Sequence, residues 1–386
     1  MQSRDELAGW LRLATAPGIG RAAARRLLAA LGSPERVLEA DVDTLSALAG
    51  PDIAGLLKRH DPRDDARLDA TERWLATAEP GMPRDIVALG DPRYPELLLR
   101  STDPPLLLFT LGRVELLAAP GVAIVGSRSA TPQGMDNARA FGRFLSGRGL
   151  TIASGLAMGI DGAAHEGGLA GPGSTVAFVG TGLDRVYPAR HADLARRIAR
   201  QGLVCSEYPL GTDSRGHHFP QRNRLIAGVT LGTLVVEAAV ESGSLITARL
   251  ALECGREVFA IPGSIHSPQS RGCHRLIQEG AKLVETGDDI LRELRLDANG
   301  PAAARLSTPR PSLFAATDDG GAPEPATPRP EAALVAALGH DPVTVDVLAA
   351  RTGLPSERLA ARLLELELAG QVQRLPGGLL QRRVTT

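Results

Sequence analysis

Residues 122–134 read VAIVGSRSATPQG, an apolar run of strand length followed by a glycine turn and by Pro132, a residue that favours the first turn of a helix. The same alternation repeats along the chain. Further strand-like runs lie at 150–153, 175–179, 203–205, 233–236, 258–261 and 282–284, and helical patterns fit at 132–148, 160–170, 191–201, 221–228, 243–254 and 271–279. A parallel strand needs a crossover to return, so this pattern predicts an α/β fold whose centre, residues 86–296, is an extended Rossmann-like, doubly wound parallel sheet.

The segments on either side of this sheet differ from it in composition. Residues 1–80 are rich in Ala, Leu and Arg at helical spacing, which predicts an all-α N-terminal domain. Its turn at 16–20, APGIG, resembles a helix-hairpin-helix of the SAM-like type, although a plain helical corner explains the glycines equally well. Residues 297–330 contain seven prolines and few large apolar side chains, which is typical of a linker.

The last segment, residues 331–386, predicts a C-terminal winged-helix domain. Three short helical patterns precede two strand-like runs, and the sequence Pro376-Gly377-Gly378 between those runs is suited to a hairpin turn. Six acidic and six basic residues balance each other here, so DNA binding and protein docking both remain open for this domain.

The overall composition excludes several classes of protein. A chain of 386 residues with 43% hydrophobic content buries a sizeable core, which rules out disorder for most of its length. Its 43 basic and 44 acidic residues give a net charge of -1, so any contact with a polyanion must come from a local patch. Only Lys58 and Lys282 are lysines, and neither follows a glycine, so the chain has no Walker phosphate loop.

Cysteine usage and hydropathy predict the compartment. Cys205, Cys254 and Cys273 form no C-x-x-C pair, which argues against a disulfide framework and against a cysteine-rich zinc site. No uncharged apolar run approaches the roughly 18 residues of a membrane span. We therefore expect a soluble, cytoplasmic protein without membrane insertion, metal or cofactor.

Ligands of doubly wound sheets bind beyond the carboxyl ends of the strands, where the first candidate site is Gly126-Ser127-Arg128. The glycine allows close approach of backbone to an anion, while Ser127 and Arg128 supply donors suited to a phosphodiester. The alternative is an arginine that only ties down a neighbouring loop. The dinucleotide fingerprint G-x-G-x-x-G is absent, which makes NAD and FAD poor candidates.

The second strand leads into SGLAMGIDGAAH at 154–165. Its glycines, Gly155 among them, allow another chain or a ligand to come close. Asp161 and His165 are four residues apart and so lie on adjacent helical turns, the spacing of an acid–base pair. Because no nucleophile lies near them in the sequence and Asp161 occupies a position suited to an N-cap, we favour a structural role for both.

The densest signal is the segment 211–228, GTDSRGHHFPQRNRLIAG. A base can stack on Phe219 while Arg222 and Arg224 hold the flanking phosphates, with the amide of Asn223 beside them. Pro220 is expected to open a helix, which would leave Phe219 in the preceding loop. The alternative is a core phenylalanine next to two arginines on a solvated helix face.

A further strand carries Glu237 near its carboxyl end and leads into a Ser-Gly-Ser helix start. Ser242 or Ser244 can cap that helix, and the amides of Ser242 and Gly243 offer another anion site. Glu237 suits either an enzyme or the anchoring of the following loop.

Taken in order, these segments resemble the DNA processing protein A, or DprA/Smf, family of bacteria. The resemblance runs from Pro92-Arg93-Tyr94-Pro95 to Lys282, about half of the sequence. It includes GSRSATPQG, SGLAMGIDGAAH, GTGLDRVYP, HFPQRNRLIAG and ESGSLITARLA. A helical N-terminal domain and a C-terminal winged helix also occur in many members.

The resemblance implies a non-enzymatic protein that binds single-stranded DNA, protects incoming DNA during natural transformation and loads the RecA recombinase onto it. Single-strand-binding protein is a further expected partner, and members form homodimers through the extended Rossmann domain. Matched positions imply that Ser127 and Arg128 hold phosphate and that the Phe219, Arg222 and Arg224 group engages the strand. Dimer and RecA contacts are expected near Ile277, Gln278 and Leu283.

The rival interpretation is an enzyme, since nucleotide phosphoribohydrolases of the lysine-decarboxylase-like group share this kind of sheet. Glu237 with Arg128 could serve such a reaction. That group's P-G-G-x-G-T-x-x-E signature is missing, because the one Pro-Gly-Gly run lies at 376–378, in the terminal domain. A third possibility, a helix-hairpin-helix protein acting on duplex DNA, requires the first domain to dominate.

Overall fold

The computed structural model describes residues 3–16, 18–59, 61–296, 330–339, 342–375 and 378–382. The chain begins with six helices: α1 Arg4–Thr15, α2 Arg21–Leu31, α3 Pro34–Glu39, α4 Val42–Ala49, α5 Pro51–Lys58 and α6 Pro62–Ala76. Side-chain caps fix several of their starts; Asp41, for example, accepts a hydrogen bond from the Thr44 amide. The predicted linker, 297–330, lies outside the described residues except for Pro330.

The central sheet has nine strands in the order β1-β2-β6-β5-β4-β3-β7-β8-β9. Their bounds are β1 Arg84–Ala88, β2 Leu107–Gly112, β3 Gly121–Val125, β4 Thr151–Ser154, β5 Thr175–Phe178, β6 Leu203–Ser206, β7 Gly232–Val235, β8 Glu257–Ala260 and β9 Lys282–Leu283. Strands β3 to β9 pair in parallel, which confirms the predicted Rossmann-like core.

The edge formed by β1 and β2 differs from the prediction of an all-parallel sheet. Both β1 with β2 and β2 with β6 pair antiparallel, because the chain enters the sheet here without a helical crossover. The intervening helix, α7 Glu96–Leu99, has four residues. The sheet is therefore largely parallel, with two antiparallel strands at one edge.

Helices cover both faces of the sheet and connect its parallel strands. The connecting helices are α8 Pro132–Gly147, α9 Ile160–Gly168, α10 Ala192–Gln201, α11 His218–Gly228, α12 Gly243–Glu253 and α13 Arg271–Gln278, and α14 Gly287–Glu293 follows the last strand. All of the helices predicted between the strands are present, with bounds shifted by a few residues. No helix in the described ranges is both long and apolar enough to cross a lipid bilayer.

The N-terminal helices and the antiparallel edge share one hydrophobic core. Leu27 and Trp74 of the helices belong to the same buried cluster as Ile86, Leu107 and Phe109 of β1 and β2. The Trp74 and Phe109 rings meet edge to face with centroids 6.3 Å apart. The apolar packing is thus continuous across the boundary predicted near residue 80.

The C-terminal winged helix is present as predicted. It contains α15 Pro330–Leu338, α16 Val345–Thr352 and α17 Ser356–Leu368, followed by the antiparallel pair β10 Val372–Leu375 and β11 Leu379–Arg382. Arg351 joins this domain to α8, since its Nη2 donates to Gln133 Oε1 at 2.8 Å and lies 3.2 Å from Asp136 Oδ2.

Candidate nucleic-acid interface

Several of the predicted binding residues, among them Arg128 and Phe219, come together beyond the carboxyl ends of β3, β4 and β5. The loops 126–131, 155–159 and 179–191 meet there with the start of α11, and we call this set of residues the carboxyl-edge site. Parallel strands place all of these loops at one edge of the sheet, as the fold predicts. Segments distant in the sequence are thereby brought into contact.

Gly126 and Ser127 build the turn that follows β3. A Cβ on Gly126 would lie 2.6 Å from a side-chain carbon of Ile160 and 2.8 Å from the Glu237 carbonyl oxygen, so only glycine fits. The Ser127 amide donates to the Glu237 carbonyl at 2.8 Å, and its hydroxyl accepts from the Ser129 amide at 3.2 Å. Ser127 is buried and shapes the loop, whereas Arg128 is exposed at its tip.

Arg128 and two aromatic rings form the exposed part of the site. The Arg128 guanidinium lies over the half-buried Phe219 ring, and its central carbon is 5.4 Å from the ring centroid. The Tyr187 ring, 49% exposed, packs against the same phenylalanine with centroids 5.3 Å apart. Tyr187 was not predicted as a site residue, although the signal for it lay in the GTGLDRVYP stretch.

The start of α11 corrects one expectation. The helix begins at His218, so Phe219 lies in its first turn and not in the preceding loop, and Pro220 is the third helical residue. The first four amides of a helix have no intrahelical acceptor, so a proline at this position costs no hydrogen bond. His218 fixes the start, because its Nδ1 donates to the Gly180 carbonyl at 3.0 Å.

Arg222 lies beneath this exposed part and is 3% exposed. Its Nη1 donates to the Phe178 carbonyl at 2.6 Å, at the end of β5. The guanidinium also fills the space beside Gly155, where a Cβ would lie 2.0 Å from Nη1. Burial lowers the pKa of Arg222 to about 10, against the attraction of Asp161, so the group still carries its charge at neutral pH. This buried position differs from the predicted phosphate-facing one.

Asp161 and His165 hold the loop 155–159 from below. The Asp161 carboxylate accepts from the amides of Gly155 at 3.1 Å and Ala157 at 3.3 Å. It is therefore not the N-cap of α9, which is Gly159, but a clamp on the preceding loop. Burial raises the pKa of the Asp161 carboxyl, opposed by the charge of Arg222 and by these two N–H groups.

The tautomer of His165 follows from its partners. The Thr175 hydroxyl donates to the Ile152 carbonyl at 2.6 Å, so its oxygen accepts from His165 Nδ1 at 2.7 Å. His165 Nε2 then accepts the Leu156 amide at 3.2 Å. Burial lowers the pKa of His165 to about 3, which keeps the ring neutral. This assignment supports the structural role over the acid–base pair.

Arg224 belongs to an ion-pair cluster that joins the first domain to α11. Its guanidinium pairs with Glu207 and lies 3.3 Å from Asp103 Oδ2. Arg21 of α2 contacts the same two carboxylates, and Arg25 reaches Asp103 at 2.7 Å. The Arg224 side chain is 13% exposed and that of Glu207 5%. An open, phosphate-facing Arg224 was predicted, whereas the structure places it inside this cluster.

The other predicted positions lie around the edge of the site. Asn223 is half-buried on α11, and Ser242 caps α12 by accepting from the Ser244 amide at 3.4 Å. Gly243 is exposed at the start of α12, with no atom within 4 Å of where a Cβ would lie. The Glu237 carboxylate accepts from the amide and the hydroxyl of Thr131, at 2.9 and 2.6 Å, and so holds the start of α8.

The predicted dimer residues lie at the far edge of the sheet. Leu283, on the edge strand β9, is 43% exposed, Gln278 is exposed, and Ile277 is half-buried against the core. In the described ranges, no group of three His, Cys, Asp or Glu side chains is placed to hold a metal ion.

Three family models match the chain. The model described as DNA recombination-mediator protein A matches residues 85–295, the DprA winged helix domain matches 318–378, and a SAM-like helix-hairpin-helix tandem matches 11–55. Protein Smf of Escherichia coli (strain K12) is 44% identical over 291 residues, 75% of each chain. DNA processing protein DprA of Streptococcus pneumoniae is 42% identical over 259 residues, 67% of this chain and 88% of that one.

Solved structures give the same assignment. The X-ray structure of DNA processing protein A from Streptococcus pneumoniae superposes with a TM-score of 0.64 at 38% identity, covering 75% of this chain and 98% of that chain. A structure described as showing the single-stranded DNA binding mode of DNA processing protein A from Helicobacter pylori has a TM-score of 0.51 at 28% identity, covering 56% and 97%.

Proposed function

This chain belongs to the DNA recombination-mediator protein A family, and from that premise we propose that it binds single-stranded DNA at the carboxyl-edge site. The observation that carries the proposal is the Arg128 guanidinium lying over the half-buried Phe219 ring, with its central carbon 5.4 Å from the ring centroid. An aromatic ring can stack on a base, and a cation next to it can pair with the phosphate of the same strand. Stacking on a ring does not depend on which base is present, so the site suits an unpaired strand of any sequence.

The remaining residues of the site are proposed to act in two ways. Gly126 and Ser127 place Arg128, while Gly155 and Arg222 hold the loop below the strand. We also propose Asn223, Ser242 and Gly243 as contacts on the path of the strand, because Asn223 follows Arg222 on α11 and the other two lie at the start of α12, beyond the carboxyl end of β7. Arg224 is proposed to act through its ion-pair cluster instead of through a phosphate.

The cellular role that we propose follows the relatives. In the cytoplasm, the protein protects incoming single strands during natural transformation and loads RecA onto them in the presence of single-strand-binding protein. It acts as a homodimer, with the edge around Ile277, Gln278 and Leu283 as the contact for a second copy or for RecA. Loading is tested by whether the protein relieves the inhibition of RecA by single-strand-binding protein; no relief would count against the mediator role.

We propose that the protein is not an enzyme. The Glu237 carboxylate, the candidate base of a phosphoribohydrolase, is occupied at the start of α8 by the amide and the hydroxyl of Thr131. A mononucleotide hydrolysis assay decides between the two functions: turnover that Glu237→Gln abolishes would establish the enzyme, and no turnover is expected.

The binding proposal is tested by fluorescence polarisation of labelled oligo-dT and of its duplex form across a salt series. We expect preference for the single strand and an affinity that falls with salt, because bound phosphates release counterions. Arg128→Ala and Arg222→Ala should weaken binding, the first by removing a contact and the second by releasing the Gly155 loop. Arg200→Ala is the matched control, since Arg200 is exposed at the end of α10, next to the amino end of β6. Equal affinity of the Arg128 variant and the parent at every salt concentration would refute the site.

A further inference from the structure

The loop 182–191, which follows β5, carries side chains that the proposed contact at Arg128 and Phe219 does not use. Val186 is 47% exposed and Tyr187 is 49% exposed, although both are large apolar groups beside a nucleic-acid site. Tyr187 is the second ring in contact with Phe219, with centroids 5.3 Å apart and planes inclined by 35°. The loop therefore continues the aromatic surface of the carboxyl-edge site outward.

The loop is held in place on both sides. The Gly182 amide donates to the Thr212 carbonyl at 3.0 Å, and the Gly211 amide donates to Asp184 Oδ1 at 2.9 Å. At the far end of the loop, His191 Nδ1 donates to the Leu156 carbonyl at 2.9 Å. An anchored loop loses little conformational freedom on binding, so its exposed ring is already positioned for a ligand.

Two arginines of this loop differ in their ion pairing. Arg185 pairs with Asp213 and lies 3.7 Å from Asp184 Oδ2, so its charge is balanced locally. Arg190, three residues after Tyr187, is exposed and makes no hydrogen bond or ion pair with any residue that the structure describes. A guanidinium that has no ion-pair partner in the described residues, three positions along the same loop from an exposed ring, is complementary to a polyanion that carries bases.

We propose that Tyr187 and Arg190 form a second contact for the unpaired strand, adjoining the contact at Arg128 and Phe219. A base stacks on the exposed side of Tyr187, and the neighbouring phosphate pairs with Arg190. This inference rests on the proposed function and deepens it, because it extends the same site by a nucleotide. An acidic protein segment is the competing occupant, and the experiment separates the two.

The test measures affinity for oligo-dT over a series of lengths. Tyr187→Ala should weaken binding of the longer strands about 5- to 150-fold, the affinity equivalent of one lost base stack. Tyr187→Phe keeps the ring and should bind like the parent, whereas Tyr187→Leu keeps only apolar bulk and should bind like the alanine variant. For strands too short to span both contacts, Tyr187→Phe should match the parent, and Tyr187→Ala should lose less affinity than it loses for the longer strands, because only its packing against Phe219 is removed.

Arg190 is tested through the salt dependence. Arg190→Gln should reduce the slope of log affinity against log salt by about 0.7, the value for one phosphate contact on a single strand. Arg200→Gln is the matched control, because Arg200 is also exposed and is likewise without a hydrogen-bond or ion-pair partner in the described part of the chain. An unchanged slope for Arg190→Gln would remove the phosphate contact from the proposal.

Photo-crosslinking locates the strand directly. Oligo-dT substituted with 5-bromodeoxyuridine should crosslink to the peptide that contains Tyr187, and Tyr187→Ala should abolish that product. If the parent binds oligo-dT but Tyr187→Ala binds equally well and crosslinks elsewhere, the second contact is refuted while the proposed function stands. If the parent binds no single strand at all, the proposed function itself fails.

Discussion

The Arg128 guanidinium lies over the Phe219 ring, 5.4 Å from its centroid, and so joins the loop after β3 to the first turn of α11. A cation over a ring face is attracted by the ring's quadrupole, which orders both side chains before a ligand arrives. The two residues nevertheless offer different chemistry, because one presents a charge and the other a stacking surface. Their contributions to binding can therefore be separated by experiment.

Phe219→Ala should weaken the affinity for oligo-dT by roughly 1–3 kcal/mol, because it removes a stacking surface for one base. The informative control is a strand of the same length with abasic sites, which offers phosphates but no bases to stack. On that strand the variant should lose less affinity than on the normal strand in a polarisation titration, because only the ordering of Arg128 by the ring is lost. An equal loss on both strands would mean that Phe219 only supports Arg128.

Arg222→Met should lower the free energy of unfolding by on the order of 3 kcal/mol, because the buried Asp161 loses its nearby positive charge. Asp161→Asn in the same chain should restore part of that loss, since it removes the uncompensated charge. Urea denaturation of both single variants and of the double variant measures the coupling energy. Strictly additive losses would contradict an electrostatic link between the two residues.

His165 predicts a pH dependence of stability. Its pKa is about 3 in the fold, against 6.5 for an ordinary histidine, so below pH 6.5 the unfolded chain binds a proton that the folded chain does not. The free energy of unfolding should therefore fall as the pH drops from 6.5 towards 3, by up to about 1.4 kcal/mol per pH unit. Above pH 6.5 the contribution is fully present and constant.

The comparison between the parent and His165→Gln isolates this group, because glutamine does not titrate. Between pH 6 and 5, urea denaturation should show a pH slope that is smaller in the variant by about one proton. The variant is expected to be less stable near neutral pH, and the gap should narrow as the pH falls because only the parent loses the contribution of His165. Equal slopes in the two proteins would show that His165 does not stay neutral in the fold.

Glu207→Gln should destabilise the protein by on the order of 3 kcal/mol, because Arg224 and Arg21 lose a carboxylate that is 5% exposed. The matched control is Glu96→Gln, which breaks the ion pair between Glu96 and Arg100, whose side chains are 74% and 45% exposed. An exposed pair of this kind contributes about 1 kcal/mol or less. Similar losses for the two variants, measured by thermal or urea denaturation, would contradict the buried character of the cluster.

The sequence predicted the parallel core because its strands are mainly apolar runs separated by helical patterns. It missed β1 and β2, although 86–89 and 106–111 are apolar runs of strand length, because no long helical pattern lies between them to indicate another strand–helix repeat. It also misplaced the start of α11, because proline was assumed to occupy the first helical position and because the hydrogen bond from His218 to the Gly180 carbonyl joins segments distant in the sequence.

For the candidate site, the sequence singled out loops that the fold brings together, but it did not predict the depth of each side chain. Arg128 and Phe219 meet as a charge and a ring, whereas Arg222 is buried and Arg224 is paired with Glu207. Charge alone does not distinguish these arginines, because the carboxylates that surround Arg224 come from segments far away in the sequence. Tyr187 was missed for the same reason: its neighbour Phe219 is adjacent only in the folded chain.

The contact between Trp74 and Phe109 limits where the chain can be truncated. A chain that begins near residue 80 would expose Phe109 and Leu107 to solvent on one face of the edge strands β1 and β2, although each is 1% exposed in the intact protein. Such a fragment would aggregate through this exposed apolar strand face. The N-terminal helices are therefore not an independent domain. We expect them to unfold together with the strands that they cover, in one cooperative transition.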